Sequence, residues 1–219
     1  MINFLKGALW ENQYNLCQEL QYTHCIGIDE AGRGALAGPV MAAAVCFRPQ
    51  TQTFFVDDSK KLSPKKREEV FHQIHQEKAY VGLGTSSNAL IDEKNILQAT
   101  KIAMLEAYQK CLSQLMLDIP QPKLLVLIDG NVKLPLGSET HSLTIVKGDA
   151  LMASIAAASI VAKVSRDRRM TELHYEFPDY GFAQHKGYGT NQHFQAIHQL
   201  GISRHHRITF ISRSLYEHH

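Results

Sequence analysis

Four acidic residues stand where solvated surface charges rarely do. Asp29 and Glu30 follow directly on the apolar run 25–28, Asp129 follows the branched run 124–128, and Asp149 lies just past the strand-like segment 142–146. If these runs are neighbouring strands, their carboxyl ends bring the acids to one spot, which is where open α/β sheets gather ligands. Carboxylates forced together raise one another's pKa unless a cation intervenes. An all-oxygen donor set suits Mg²⁺ or Mn²⁺ rather than zinc. Two such ions about 4 Å apart activate a water and stabilise the leaving oxygen of an in-line phosphoryl displacement. The chemistry to expect is metal-dependent hydrolysis of a phosphodiester.

Each acid also has a plainer reading. Asp149 precedes a helix and fits an N-cap. Asp129-Gly130 is a common turn dipeptide. Adjacent strand residues point to opposite faces, so Glu30 joins Asp29 only if the strand is ending there. The plain readings weaken together, because all four acids terminate core segments.

Around the acids lie groups suited to a polyanion. The turn from Gly32 to Gly38, with Arg33 and Gly34 inside it, leads into a strand rather than a helix and lacks Gly-Lys-Ser/Thr, so it is neither a P-loop nor a dinucleotide fingerprint. Its glycines let backbone approach a substrate closely, with Arg33 near a phosphate. Lys60, Lys61, Lys65, Lys66 and Arg67 cluster at a helix start; such a cluster is usually a solvated face, but beside an acidic metal site it suits DNA phosphates. Lys163 and Arg166 offer the same from a later helix, and His205, His206 and Arg207 are a weaker set of the same kind. Tyr188, between Gly187 and Gly189, is read as free to stack on a substrate, against the alternative of a tyrosine capping the core.

The elements that position these groups follow from pattern. Strands are expected at 25–29, 40–47, 80–84, 124–128 and 142–146. Ser63-Pro64 is a helix start, a long helix covers about 90–115, and 151–164 is a helix apolar or small on nearly all sides, hence buried. Further helical pieces fall at 166–173 and 191–200, and residues 1–23 form a short helix or arm. Strands in hairpin order, then alternating with helices, give a mixed sheet flanked by helices. With no repeat or linker, residues 1–219 read as one α/β domain whose part from about 166 to 219 is helical.

Composition sets outer limits. Hydrophobic residues make up 44% and charged residues 20%, an ordinary globular balance. No apolar run approaches the roughly 18 to 20 residues needed to cross a bilayer, and no signal-peptide core opens the chain, so an intracellular, cytoplasmic protein without membrane contact is expected. Four scattered cysteines argue against a zinc site or a disulfide framework. Of 12 histidines, eight follow Lys163 and are read as solvated or phosphate-facing. Net charge is +2, and without the four acids the chain carries +6. Filled with two cations, the acidic spot would no longer repel phosphates.

These residues also carry a resemblance. The run Gly27-Ile28-Asp29-Glu30-Ala31-Gly32-Arg33-Gly34, with Leu36-Ala37-Gly38-Pro39 after it, resembles the signature of the type 2 ribonuclease H family. So, in order, do Asp58-Ser59-Lys60-Lys61-Leu62-Ser63, Leu127-Ile128-Asp129-Gly130-Asn131, and Lys147-Gly148-Asp149 with the alanine-rich stretch from Ser154 to Val164. The same holds for the segment from Gly181 to Thr190 and for His205-His206-Arg207. Ala35 stands where that family usually has Pro, Ala150 where Ser is frequent, and Ile208-Thr209 where a more basic pair is usual; the acids, the turn glycines and Tyr188 match.

The resemblance implies a ribonuclease H-like fold, a five-stranded mixed sheet with helices on both sides and a helical C-terminal part. It implies an endonuclease that cuts RNA in RNA–DNA hybrids, or duplex DNA 5′ of an embedded ribonucleotide, leaving a 3′-hydroxyl and a 5′-phosphate with two Mn²⁺ or Mg²⁺ ions. Asp29, Glu30, Asp129 and Asp149 become the catalytic metal ligands. Gly32, Arg33 and Gly34 read the ribose 2′-hydroxyl, Lys60, Lys61 and Lys163 meet the substrate, and Tyr188 stacks on the sugar at an RNA–DNA junction. A monomer is expected, and a sliding-clamp partner has no strong tail motif to support it. The alternatives are a catalytically silent hybrid-binding module, a nuclease indifferent to the 2′-hydroxyl, and the type 3 enzyme, whose N-terminal substrate-binding domain would not fit in the 23 residues before the first strand.

Overall fold

The computed structural model describes residues 4–211. His218 and His219, two of the histidines counted above, lie outside them. Five strands form one sheet: β1 (His24–Ala31), β2 (Val40–Cys46), β3 (Tyr80–Ser86), β4 (Leu124–Asp129) and β5 (His141–Ile145), in the order β3-β2-β1-β4-β5. β1, β2 and β3 pair antiparallel, whereas β1–β4 and β4–β5 are parallel. The mixed sheet expected from the alternation of elements is therefore present.

Alternation along the strands sorts side chains to two faces. Ile26, Ile28, Ala42, Ala44, Val126 and Ile128 pack against Met104, Ala107 and Leu115 of α4 (Ile96–Asp118). Cys25, Leu125 and Leu127 face the opposite way, onto Met152 and Ile155 at the start of α5 (Ala153–Glu176), while Ala43 and Val45 meet the alanines farther along it. The alanines let α5 lie close, and Gly27 lets it lie closer still. A Cβ there would run into the Ser154 and Ile155 backbone.

Three local expectations change. The pieces read as 151–164 and 166–173 are one helix, because no Gly or Pro interrupts the chain until Pro178, before which Phe177 (φ −135°, ψ 66°) has left the helical region. The helix read as 90–115 is two, α3 (Asn88–Lys94) and α4, broken at Asn95, whose φ of 68° leaves the helical region while its side chain caps Gln98 N–H. Strand β5 stops at Ile145.

The cysteine expectation is corrected. Cys17 of α1 (Leu9–Glu19) is disulfide-bonded to Cys25 of β1; sequence spacing does not show that α1 packs back on the strand that follows it. Around α2 (Pro64–Gln76), the Ser63 cap and Pro64 start are as read. After α5 come the short α6 (Phe182–His185) and α7 (Asn191–Leu200). Among the described residues no helix is long and apolar enough to cross a membrane.

Candidate active site

Asp29 is the first residue of β1 beyond its ladder with β4, whose last pair is Ile28 opposite Ile128. Asp129 closes β4 one step beyond that same pair. Both aspartates continue the set of side chains that faces α5. Glu30 points the other way in the pleat. It still reaches the site because parallel pairing with β4 has ended, while antiparallel pairing with β2 carries β1 on to Ala31. That resolves the geometric difficulty the sequence posed.

Asp149 sits in a short 3₁₀ turn, Gly148–Ala150, between β5 and α5. It is not the N-cap of α5, a position held by Met152. The turn is tied to β4, since Gly148 N–H donates to Asp129 Oδ1 at 2.7 Å. It is also held by α1. Asn12 Nδ2 donates to Leu151 O at 3.1 Å, and Gln13 Oε1 accepts from Ser154 N–H at 2.8 Å. The arm to which the sequence assigns no task thus supports the segment carrying Asp149, through contacts some 140 residues apart that no local pattern reveals.

The acids act on one another. Burial, then the charges of Glu30 and Asp129, hold the Asp29 carboxyl well above the usual carboxylate range, against hydrogen bonds from Ser159 and the Glu30 N–H. Burial raises Glu30 as well, with Asp129 adding to it and Arg33 opposing it. Burial, Asp129 and Asp58 raise Asp149. Lys60 Nζ stands 3.6 Å from Asp149 Oδ2, and Arg33 Nη1 donates to Glu30 Oε1 at 3.0 Å. Burial works against the Lys60 ammonium, but Asp149, Asp29, Asp58 and Asp129 together raise its pKa. Asp58, whose charge helps to raise the Asp149 pKa, is a fifth carboxylate, which the sequence shows within a motif but does not mark for the site, since it does not end a strand.

Among the described residues no three His, Cys, Asp or Glu side chains are already drawn into a shell around one point. What fits a hard cation is the donor chemistry. Buried, mutually repelling oxygen ligands with two basic partners are short of positive charge.

A cleft of about 380 Å³ joins these groups to the rest. Asp29, Glu30 and Asp129 line it with the Gly32–Gly34 turn, Lys60, Lys163 and Tyr188. Lys163 and Tyr188 also line a neighbouring groove of about 710 Å³ between α2 and α5. Lys61 is not brought in: it is exposed and bonded to Asp57 at 3.0 Å.

Arg166 and Arg207 contradict their reading as phosphate contacts. Both are fully buried. Their guanidiniums bond backbone carbonyls of the Gly-rich turn, Arg166 at Ala37 and Pro39 and Arg207 at Gly32, Arg33 and Gly38. Three of the histidines are corrected likewise, for His185, His193 and His206 are buried together. His206 Nδ1 accepts from Ser203 N–H, so its Nε2 carries the proton and donates to His193 Nε2 at 3.1 Å; His193 then donates from Nδ1 to Tyr188 O at 3.0 Å. Burial lowers both pKa values to about 4, so the neutral chain persists at neutral pH and anchors the backbone of Tyr188.

Comparison with known proteins agrees with this geometry. The family model described as Ribonuclease HII matches residues 26–218. A Ribonuclease HII of Geotalea uraniireducens is 52% identical over 196 residues, covering 90% of this chain and 86% of that protein. Among solved structures, the RNase HII of Archaeoglobus fulgidus, determined in complex with PCNA, superposes with a TM-score of 0.64 at 27% identity, over 84% of this chain and 93% of that one. Bst-RNase HIII in complex with Mn²⁺ shares the fold at TM-score 0.62 and 20% identity, over 81% and 63% of the two chains. The five-stranded sheet, the acids at its carboxyl edge and a family match spanning nearly the whole chain lead to one conclusion: the chain belongs to the ribonuclease HII family, divalent-metal-dependent nucleases with ribonuclease H activity.

Proposed function

We propose that Asp29, Glu30, Asp129 and Asp149 hold two Mn²⁺ or Mg²⁺ ions, and that the chain cuts RNA in RNA–DNA hybrids and nicks duplex DNA on the 5′ side of an embedded ribonucleotide, leaving a 3′-hydroxyl and a 5′-phosphate. The observation that carries this reading is the opening of mutually repelling carboxylates, Asp29 buried and Glu30 and Asp129 half-buried, into the same cleft as a glycine turn and a tyrosine. When bound, the cations supply an activated water and neutralise charge at the leaving oxygen.

The chain's own residues bind and orient. Gly34 has open space where a Cβ would stand, so a ribose can approach its backbone, and the 2′-hydroxyl is the group that separates RNA from DNA at one nucleotide. Lys60 and Lys163 offer charge to the phosphates on either side. Tyr188 lies 5.3 Å from the Arg166 guanidinium and 5.7 Å from Lys163 Nζ, flanked by cations and lining the cleft, which suits stacking on a sugar or base at a junction.

The assay is direct: a duplex bearing one ribonucleotide, an RNA–DNA hybrid and an all-DNA duplex, each with Mn²⁺ and with Mg²⁺. Cleavage of the first two and not the third is expected; cutting of all three alike would show indifference to the 2′-hydroxyl and overturn the reading. Tyr188→Ala should lower nicking at the single ribonucleotide about tenfold or more, the worth of one stacking contact, with an unchanged unfolding temperature. A fall in stability with unchanged rates would make Tyr188 a core cap instead.

Metal binding has its own signature in stability. Because Asp29, Glu30 and Asp149 have raised pKa values in the folded protein, the fold keeps protons that the unfolded chain has released. These acids therefore subtract from stability as pH rises above about 4, the ordinary carboxylate range. A bound cation removes that penalty. Adding Mn²⁺ at a hundredfold excess over Kd should raise Tm by roughly 5 °C, and by less at about pH 5 than at about pH 8, since protons compete with the ion. An unchanged Tm at both pH values would mean that the acids do not bind it.

A further inference from the structure

Reading one nucleotide from two sides requires a fixed gap between the two turns that do it. One side chain touches both. Arg166 of α5 donates from Nε to Pro39 O at 2.9 Å and from Nη2 to Ala37 O at 3.1 Å, both in the Gly-rich turn. From Nη1 it donates to Lys186 O at 2.9 Å, in the turn that carries Tyr188, and its guanidinium stands 5.3 Å from the Tyr188 ring. Gly32 presses on the same group, where a Cβ would strike Arg166 Nε. The turns also meet directly, with Leu36 and Ala37 N–H both donating to Gly187 O, at 2.7 and 3.3 Å.

This is a costly way to fill a core. Arg166 is fully buried, and the ion pairs among the described residues do not include it. Removing a guanidinium from water without a carboxylate is unfavourable, so simple packing would be better served by Met or Leu. What an arginine supplies is a rigid planar fork whose donors hold several acceptors at set angles. Here the acceptors belong to two turns far apart in the chain, one before β2 and one after α6, and the fork spans them.

We propose that Arg166 is a positioning residue that sets the gap between the 32–39 turn and Tyr188, and thereby the preference for a lone ribonucleotide in DNA over a continuous hybrid. The proposal rests on the function proposed above, in which the turn meets the 2′-hydroxyl and Tyr188 stacks beside it. A continuous hybrid offers many registers and tolerates a shifted gap, whereas a single ribonucleotide offers one.

The test is Arg166→Lys, whose one ammonium cannot span the three carbonyls, measured on both substrates in the wild-type and Tyr188→Ala backgrounds with unfolding temperatures alongside. Expected is a loss in kcat/KM of about tenfold or more on the single ribonucleotide, the scale of a small misplacement at a reacting centre, taken mainly in kcat. The hybrid should lose less, and Arg166→Lys should cost nothing further once Tyr188 is gone. Equal losses on both substrates, or losses that multiply in the double variant, would overturn the inference and leave Arg166 structural. Tyr188→Ala without any effect of its own would instead overturn the reading of Tyr188 beneath it. Should Arg166→Lys fail to fold, Gly187→Ala pushes the same gap apart with Arg166 intact, because its Cβ would crowd Ala37 O. It must then show the same loss of preference, and an unchanged preference overturns the inference.

Discussion

Replacing Asp129 by Asn is expected to abolish cleavage, by about a thousandfold or more, in a protein that folds at least as well as the wild type. The expectation rests on what the amide keeps and what it loses. It would retain a carbonyl oxygen to accept from Gly148 N–H, the 2.7 Å bond that ties the 148–150 turn to β4, so Asp149 stays in place. The substitution loses a negative charge that bears on Asp29, Glu30 and Asp149 alike. With that repulsion relieved, Tm without metal should rise by a few degrees, the usual trade of stability against a strained functional site. Hybrid binding in metal-free buffer should hold or tighten, because one fewer anion faces the phosphates. Asp149→Asn should behave alike in activity. Single-turnover nicking with saturating enzyme separates the chemical step from binding, and full activity of either variant removes that residue from the site.

The acids are legible in the sequence because burial leaves a trace there. Asp29 and Asp129 come directly after apolar core runs, Asp149 follows a third run by four residues, and three neighbouring parallel strands bring the acids that follow them to one edge. Glu30 is legible only in part, since the pleat argues against it until the unequal lengths of the β1–β2 and β1–β4 ladders are known.

Arg166 and Arg207 mislead for a physical reason. Arginine in a sequence signals exposed charge by base rate, and what overrides the rate here is a set of backbone carbonyls more than 100 residues away, which carry no side-chain signature at all. The same holds for Cys17–Cys25 and for Asn12 and Gln13, whose roles follow from where α1 docks. Residues that make the chemistry advertise themselves by type. Those that hold the chemistry in position do so through shape and distance, which a single chain read in order does not display.

Arg207→Met shows how much such a residue can carry. Arg207 donates to Gly38 O from Nε and Nη2 at 3.0 and 2.9 Å, to Arg33 O at 2.9 Å and to Gly32 O at 2.8 Å. Burial and the adjacent Arg166 both push its pKa down, so its charge is tolerated only because these acceptors solvate it. Methionine has similar reach and relieves the buried charge, but it leaves the carbonyls of residues 33 and 38 without a donor and that of Gly32 with only the Ala35 N–H at 3.4 Å. At roughly 1 to 3 kcal/mol for each buried polar group left unpaired, less the desolvation no longer incurred, the net loss should be about 4 kcal/mol. For a chain of this size that is a fall in Tm of roughly 10 °C. Arg207→Lys should recover little, since one ammonium cannot face three carbonyls along two edges. The contrast with Arg166 is in the readout: Arg207 grips a single turn, so its loss should lower stability and cleavage of both substrates together. A Tm within about 2 °C of wild type for the Met variant would mean that water replaces the guanidinium, and that the Gly-rich turn holds its shape without it.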